Sequence, residues 1–137
     1  MAKTAGNWTG LVVNHGGHLE LEYARVEYAD RGILFTSGSS GQITFSDIVS
    51  NNTGIRAYGD AEDSAQNPVV QINDSNIHDN LQYNIFTVAY AGTANTIFDA
   101  RRNWWGSTKE VDIIVSIEDW NDNITNRVEI DYQDYLA

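Results

Sequence analysis

The 137-residue sequence contains no cysteine, which excludes disulfides, iron–sulfur clusters, cysteine-based zinc sites and a cysteine nucleophile. Packing and hydrogen bonds alone must hold the fold. No apolar run approaches the roughly 18 residues that a membrane-spanning helix needs, and the opening MAKTAGNWTG lacks the apolar core of a secretory signal peptide. Because Met1-Ala2-Lys3 runs straight into strand-like sequence, we expect the native polypeptide to extend further upstream. Basic residues are scarce, 8 Lys and Arg against 19 Asp and Glu, for a net charge of −11. Such a surface repels phosphate backbones and anionic lipid, so neither nucleic acid nor an inserted membrane segment is expected as a partner.

What is present is a repeat. The pairs Gly10-Leu11, Gly32-Ile33 and Gly54-Ile55 follow one another at intervals of 22 residues, and Leu21 aligns with Ile43 as Val26 does with Ile48. Ile72 and Ile77 continue the pattern after a further 29, with the surplus assigned to a polar loop over residues 60–66. Short runs such as LELEY, ITFSDI and VVQIN alternate apolar and polar residues, the signature of half-buried strands. A unit this small cannot enclose a core, but it can stack on the next so that equivalent strands pair in parallel. We therefore expect an inward file of Val26, Ile48, Ile77 and Ala100, with Tyr23, Phe45 and Ile97 in a neighbouring one that Asp74 interrupts. Asn51, Asn80 and Asn103 are expected to form a ladder at a turn, where the side-chain amide can bond to the units above and below.

Beyond residue 106 the pattern changes. Ser107-Thr108-Lys109-Glu110 has the form of a capping box, with Ser107 as N-cap and Glu110 at the third helical position. Val111, Ile114 and Val115 then recur at helical spacing, which predicts a short amphipathic helix over 108–118 whose apolar stripe covers the last unit. Trp104 and Trp105 supply bulk at the transition, Gly106 the sharp turn, and residues 127–132 one more strand.

The residues Asn103-Trp104-Trp105-Gly106, Ile117-Glu118-Asp119 and Val128 to Leu136 resemble the closing segment of the pectin-lyase-like superfamily of right-handed parallel β-helix proteins. NWTGLVV and LEYARVEYADRGI resemble its ordinary coils, although Gln133 or Asp134 stands where the family has proline. The resemblance implies an all-β fold, a right-handed parallel β-helix (solenoid) of about four or five coils with a short C-terminal capping helix and final strand. The whole chain, 1–137, is then a single domain, with coils over 1–106 and the cap over 107–137.

Relatives of that kind imply two chemistries, hydrolysis by clustered aspartates and Ca²⁺-dependent lysis with an Arg or Lys base. The hydrolase motifs are missing, and Asn14-His15-Gly16-Gly17-His18 is better explained as a polar turn. For a lyase, the repeat alignment gathers Asp47, His78, Asp99 and Arg101 as a surface strip, an arrangement that cross-strand charge pairing also produces. Calcium finds a second candidate in DWNDN, where the oxygens of Asp119, Asn121 and Asn123 alternate, though an Asx-rich turn accounts for the same residues. Tyr58, Tyr83 and Tyr90, with Asn84, lie near expected turns and suit a polysaccharide groove.

The expected function is a non-catalytic module, structural or glycan-contacting and without a required cofactor, forming the C-terminal part of a larger secreted or cell-surface protein. The alternative is a fragment of a Ca²⁺-dependent polysaccharide lyase or glycoside hydrolase acting on acidic polysaccharides. Because the first coil lacks a cap, its open strand edge is expected to support a homo-oligomer through residues near Trp8 to Val13.

Overall fold

A computed structural model describes residues 3–136, so residues 1, 2 and 137 of the expected domain lie outside the described residues. Thirteen strands are found among them: β1 (Leu11–Val13), β2 (His18–Glu22), β3 (Arg25–Glu27), β4 (Arg31–Phe35), β5 (Ser40–Thr44), β6 (Asp47–Val49), β7 (Thr53–Tyr58), β8 (Val69–Asn73), β9 (Asn76–His78), β10 (Tyr83–Val88), β11 (Thr96–Asp99), β12 (Ile117–Glu118) and β13 (Val128–Asp131). One short helix, α1 (Glu110–Val115), precedes β12.

The strands form three sheets in which every strand pairing is parallel. The first sheet runs β1-β4-β7-β10-β12, the second β2-β5-β8-β11-β13 and the third β3-β6-β9. The chain thus visits the first, second and third sheets in turn, and a strand's hydrogen-bonded neighbour belongs to the next pass. The expected files follow from this register. Leu11, Ile33, Ile55, Ile85 and Ile117 stand side by side in the first sheet, Leu21, Ile43 and Ile72 in the second, and Val26, Ile48 and Ile77 in the third. The isoleucines at 33, 43, 48, 55, 72, 77 and 85 are fully buried. Each such side chain removed from water is worth about 1.5–3 kcal/mol, which makes these files the main source of cohesion.

The later passes are longer than the early spacing suggests. The bridge between Asn76 and Trp104 brings Trp105, not Ala100, into the file of Ile77, at an interval of 28 residues. Ala100 continues the second sheet instead, since Asp99 pairs with Gln71. Tyr23 and Phe45 also depart from expectation, because both adopt left-handed backbone (φ 54° and 49°) at the bend between the second and third sheets. That bend turns their side chains outward. Asp74 (φ 53°) and Arg102 (φ 60°) occupy the same bend in later passes and form an ion pair at 3.1 Å, so Asp74 continues this file while Ile97 lies elsewhere, opposite Glu129 in β13.

The asparagine ladder divides in two for the same reason. Asn51 Oδ1 accepts the Ala29 N–H at 2.9 Å, and Asn80 Oδ1 accepts the Asn51 N–H at 3.0 Å. Asn103 caps a separate series, in which Ser46 Oγ accepts from the Ala24 N–H, Ser75 Oγ from the Ser46 N–H, and Asn103 Oδ1 from the Ser75 N–H. The repeated glycines belong to the first ladder. A Cβ on Gly32 would come 2.5 Å from the Gly54 carbonyl oxygen and 3.0 Å from Asn51 Nδ2, and one on Gly54 2.6 Å from the Asn84 carbonyl oxygen and 2.8 Å from Asn80 Nδ2, so these glycines leave space for both the next pass's backbone and the amides.

The C-terminal segment departs most from expectation. The Ser107 hydroxyl bonds to the Lys109 N–H and the Asp112 carboxylate, so the helix starts at Glu110 with Lys109 as N-cap and no side-chain cap. Glu110 instead accepts a hydrogen bond from the Tyr132 hydroxyl at 2.9 Å. The helix ends early because Ile117 and Glu118 are drawn into the first sheet as β12, beside Ile85 and Phe86. Ile113 is its buried residue, whereas Val111, Ile114 and Val115 are exposed. Trp105 is buried as the transition requires, and Gly106 (φ 79°) turns where a Cβ would sit 2.7 Å from that of His78.

Asn51 is fully buried, and its amide also donates to the Val26 and Val49 carbonyls. Asn51→Ala leaves the buried Ala29 N–H and these carbonyls without that partner and is expected to cost about 2–4 kcal/mol in urea unfolding. The exposed Gln82→Ala should stay within about 0.5 kcal/mol of the parent.

Candidate functional site

The alternating exposure of β2 sets the outer face of the second sheet, with His18, Glu20 and Glu22 outward and Leu19 and Leu21 partly covered. Parallel register carries that face across the sheet as two polar files. One runs Glu20, Gln42, Gln71, Asp99, Asp131 and the other begins Glu22, Thr44, Asn73. Between β2 and β5 the face sinks into a depression of about 220 Å³ lined by Glu20, Leu21, Glu22, Gln42 and Thr44.

At the other end of the sheet, Arg101 Nε lies 3.3 Å from Asp99 Oδ1 and 3.9 Å from Asp131 Oδ2. Asn73 Nδ2 donates to the same Asp99 oxygen at 3.0 Å. Burial by itself would push the Asp99 carboxyl up, but hydrogen bonds from Arg101 and Asn73 together with the guanidinium charge hold it below the ordinary value of 3.8.

The four residues expected in one strip fall in two places. Asp99 and Arg101 belong to the second sheet as described, while Asp47 and His78 lie on the third. There Asp47 accepts from Arg25 at 3.2 Å and from Asn76 at 2.7 Å, and His78 Nδ1 contacts Asp79 at 2.7 Å. The cause is again the 28-residue pass, which moves Asp99 one sheet back from Asn76.

The expected polysaccharide groove separates likewise. Tyr90 is buried, its hydroxyl donating to the Pro68 carbonyl at 3.0 Å, and burial raises its pKa. Asn84 is buried as well and accepts from Asn80 at 2.9 Å. Tyr58 and Tyr83 remain partly exposed in the first sheet, where the Tyr83 ring lies 5.0 Å from Phe86 and Arg56 stands over that ring at 5.0 Å.

In the DWNDN segment, Asp119 is buried. Its Oδ1 accepts the Asn121 N–H at 3.0 Å and its Oδ2 the Ile130 N–H at 2.8 Å, which ties the loop to β13. Asn123 Oδ1 accepts from the Thr125 N–H and hydroxyl. These hydrogen bonds are those of an Asx-rich turn tied down on β13. Among the described residues, no group of three or more His, Cys, Asp or Glu side chains is placed to hold a metal ion.

Sequence reasoning missed the exposed pair beside the depression. The Tyr23 and Phe45 rings stack with centroids 5.4 Å apart and planes 12° from parallel, at 76% and 50% exposure. Their interval of 22 residues was a signal of adjacency, but nothing local marked the bend that faces them outward.

No protein-family model, curated protein or solved structure matches the chain.

The lowered Asp99 pKa has a stability consequence. Because its folded value lies below its unfolded one, the carboxylate stabilises the fold at neutral pH, and that contribution disappears as pH falls through the folded value. Denaturant midpoints of the parent and Asp99→Asn should therefore differ at pH 7, begin to approach one another below about pH 4 and converge only once the pH is below the folded value.

Proposed function

We propose that the chain is a right-handed parallel β-helix of the pectin-lyase-like type and serves as a non-catalytic module that contacts glycans, within a larger secreted or cell-surface protein. The fixed order of visits to three parallel sheets supports the β-helix, and the strong right-handed preference of parallel crossovers supports its hand. The observation that carries the non-catalytic reading is how the candidate side chains are engaged. Asp99 is held by Arg101 and Asn73, Asp47 by Arg25 and Asn76, and the two carboxylates stand on different sheets, so they do not form an acid–base pair about one bond. A broad polar outer face on a rigid sheet suits binding without chemistry.

A specific arrangement favours a second reading. Asp99 and Asp131 are register partners flanking Arg101, which resembles the carboxylates and base of a Ca²⁺-dependent lyase acting on acidic polysaccharides. Incubation with polygalacturonate and Ca²⁺ is expected to release no unsaturated product by ultraviolet absorbance. Product that disappears in Arg101→Ala would establish the lyase reading instead.

For a protein partner, we assign a second copy of this chain to the N-terminal end. Leu11 and Leu21 are only partly buried, whereas their register partners Ile33 and Ile43 are fully so, and among the described residues β1 and β2 have no hydrogen-bonded strand on one side. Antiparallel pairing of two β2 strands would bring Leu19 and Leu21 of the two copies together and close the open edge of the second sheet. Light scattering should show mass rising toward a dimer with concentration, and Leu21→Lys should abolish the rise. A constant monomer mass for the parent would remove this assignment.

A further inference from the structure

We infer that Tyr23, backed by Phe45, is a stacking platform for an oligosaccharide carrying no acidic group, whose hydroxyls reach the depression lined by Glu20, Glu22 and Gln42. The inference rests on the glycan-contacting reading and gives it a location and a ligand class.

Three observations converge on this place. The first is backbone conformation: φ values of 54° and 49° lie in the left-handed region, where Asn, Asp or Gly sits at less cost than an aromatic residue. The equivalent position of the next pass is indeed an aspartate, Asp74. Two aromatics held there, largely in water, lack the burial that ordinarily compensates such residues.

The second is ring orientation. Because the rings are nearly parallel, Phe45 covers one face of Tyr23, and the other looks away from the stack. The uncovered face is flat, apolar and fixed in direction, as the C–H face of a pyranose requires. Phe45 is the positioning residue, since it limits rotation of the Tyr23 ring.

The third is the adjoining chemistry. Glu22 and Thr44, which immediately precede Tyr23 and Phe45, line the depression with Glu20 and Gln42. Carboxylate and amide oxygens there accept hydrogen bonds from sugar hydroxyls or amines. Basic side chains close by in sequence are already engaged: Arg25 with Glu27 at 2.7 Å and Asp47 at 3.2 Å, and His18, when protonated, with Glu20 at 3.4 Å. A uronate would therefore meet repulsion from Glu20 and Glu22.

Isothermal titration of the full chain with cellohexaose, a glucosamine hexamer and hexagalacturonate tests the inference. Cellohexaose or the glucosamine hexamer should bind, Tyr23→Ala should weaken that binding about fivefold to tenfold, and Tyr23→Phe should retain it, because the ring face carries the contact. Phe45→Ala should weaken binding less. Thermal unfolding of each variant in parallel separates loss of binding from loss of fold, and Tyr23 is exposed enough for its replacement to leave the core intact. If cellohexaose or the glucosamine hexamer binds the parent and Tyr23→Ala equally, the platform is wrong while the module reading stands. Binding of hexagalacturonate alone overturns the ligand class, and binding of none of the three overturns both the platform and the glycan reading.

Discussion

At two of the bends in this chain backbone N–H groups lie away from solvent, and the structure depends on their being met by the next pass. Asn51 and Asn80 do this at one bend, and Ser46, Ser75 and Asn103 at another. An amide or hydroxyl that satisfies a donor one pass away also fixes the axial register, because a shift of one residue would strand both partners. The glycines at 32 and 54 belong to this constraint, since a side chain there would crowd the carbonyls of the next pass as well as the amides. The isoleucine files supply most of the cohesion, but they tolerate sliding better than a buried hydrogen bond does.

With the register held from inside, the outer faces are free to carry chemistry. On the second sheet this yields files of carboxylates and amides, ending in Asp99, Arg101 and Asp131 at one side and in the depression beside Tyr23 at the other. Left-handed bends extend the principle. Their backbone conformation is set by the passage between sheets, so Tyr23, Phe45, Asp74 and Arg102 share one conformation while differing in chemistry, a stacked pair followed by an ion pair.

Much of this could be read from Gly10, Gly32 and Gly54, because consecutive passes of equal length leave a plain spacing in the sequence. Legibility failed where that length changed. Asn103 looked like the successor of Asn80 at a nearly unchanged interval, yet it follows Ser75 by 28 residues, and the displacement carried Ala100 and Asp99 into the second sheet. Tyr90 and Asn84 misled for another reason. Aromatic and amide side chains suit a binding groove and a satisfied interior equally, and only their partners, the Pro68 carbonyl and the Asn80 amide, distinguish the two.

The sequence by itself determined what depends on neighbouring residues and on the adjacent pass: strands from alternation, parallel stacking from the glycine and isoleucine intervals, and a core without covalent ties from the lack of cysteine. Tertiary structure decided where Asn103 and Asp99 land, and how long the helix lasts before β10 recruits Ile117 and Glu118. The physical reason is the weak dependence of loop closure on length. A few extra residues on the surface cost little, so they leave no periodic trace, yet each one displaces everything that follows along the files.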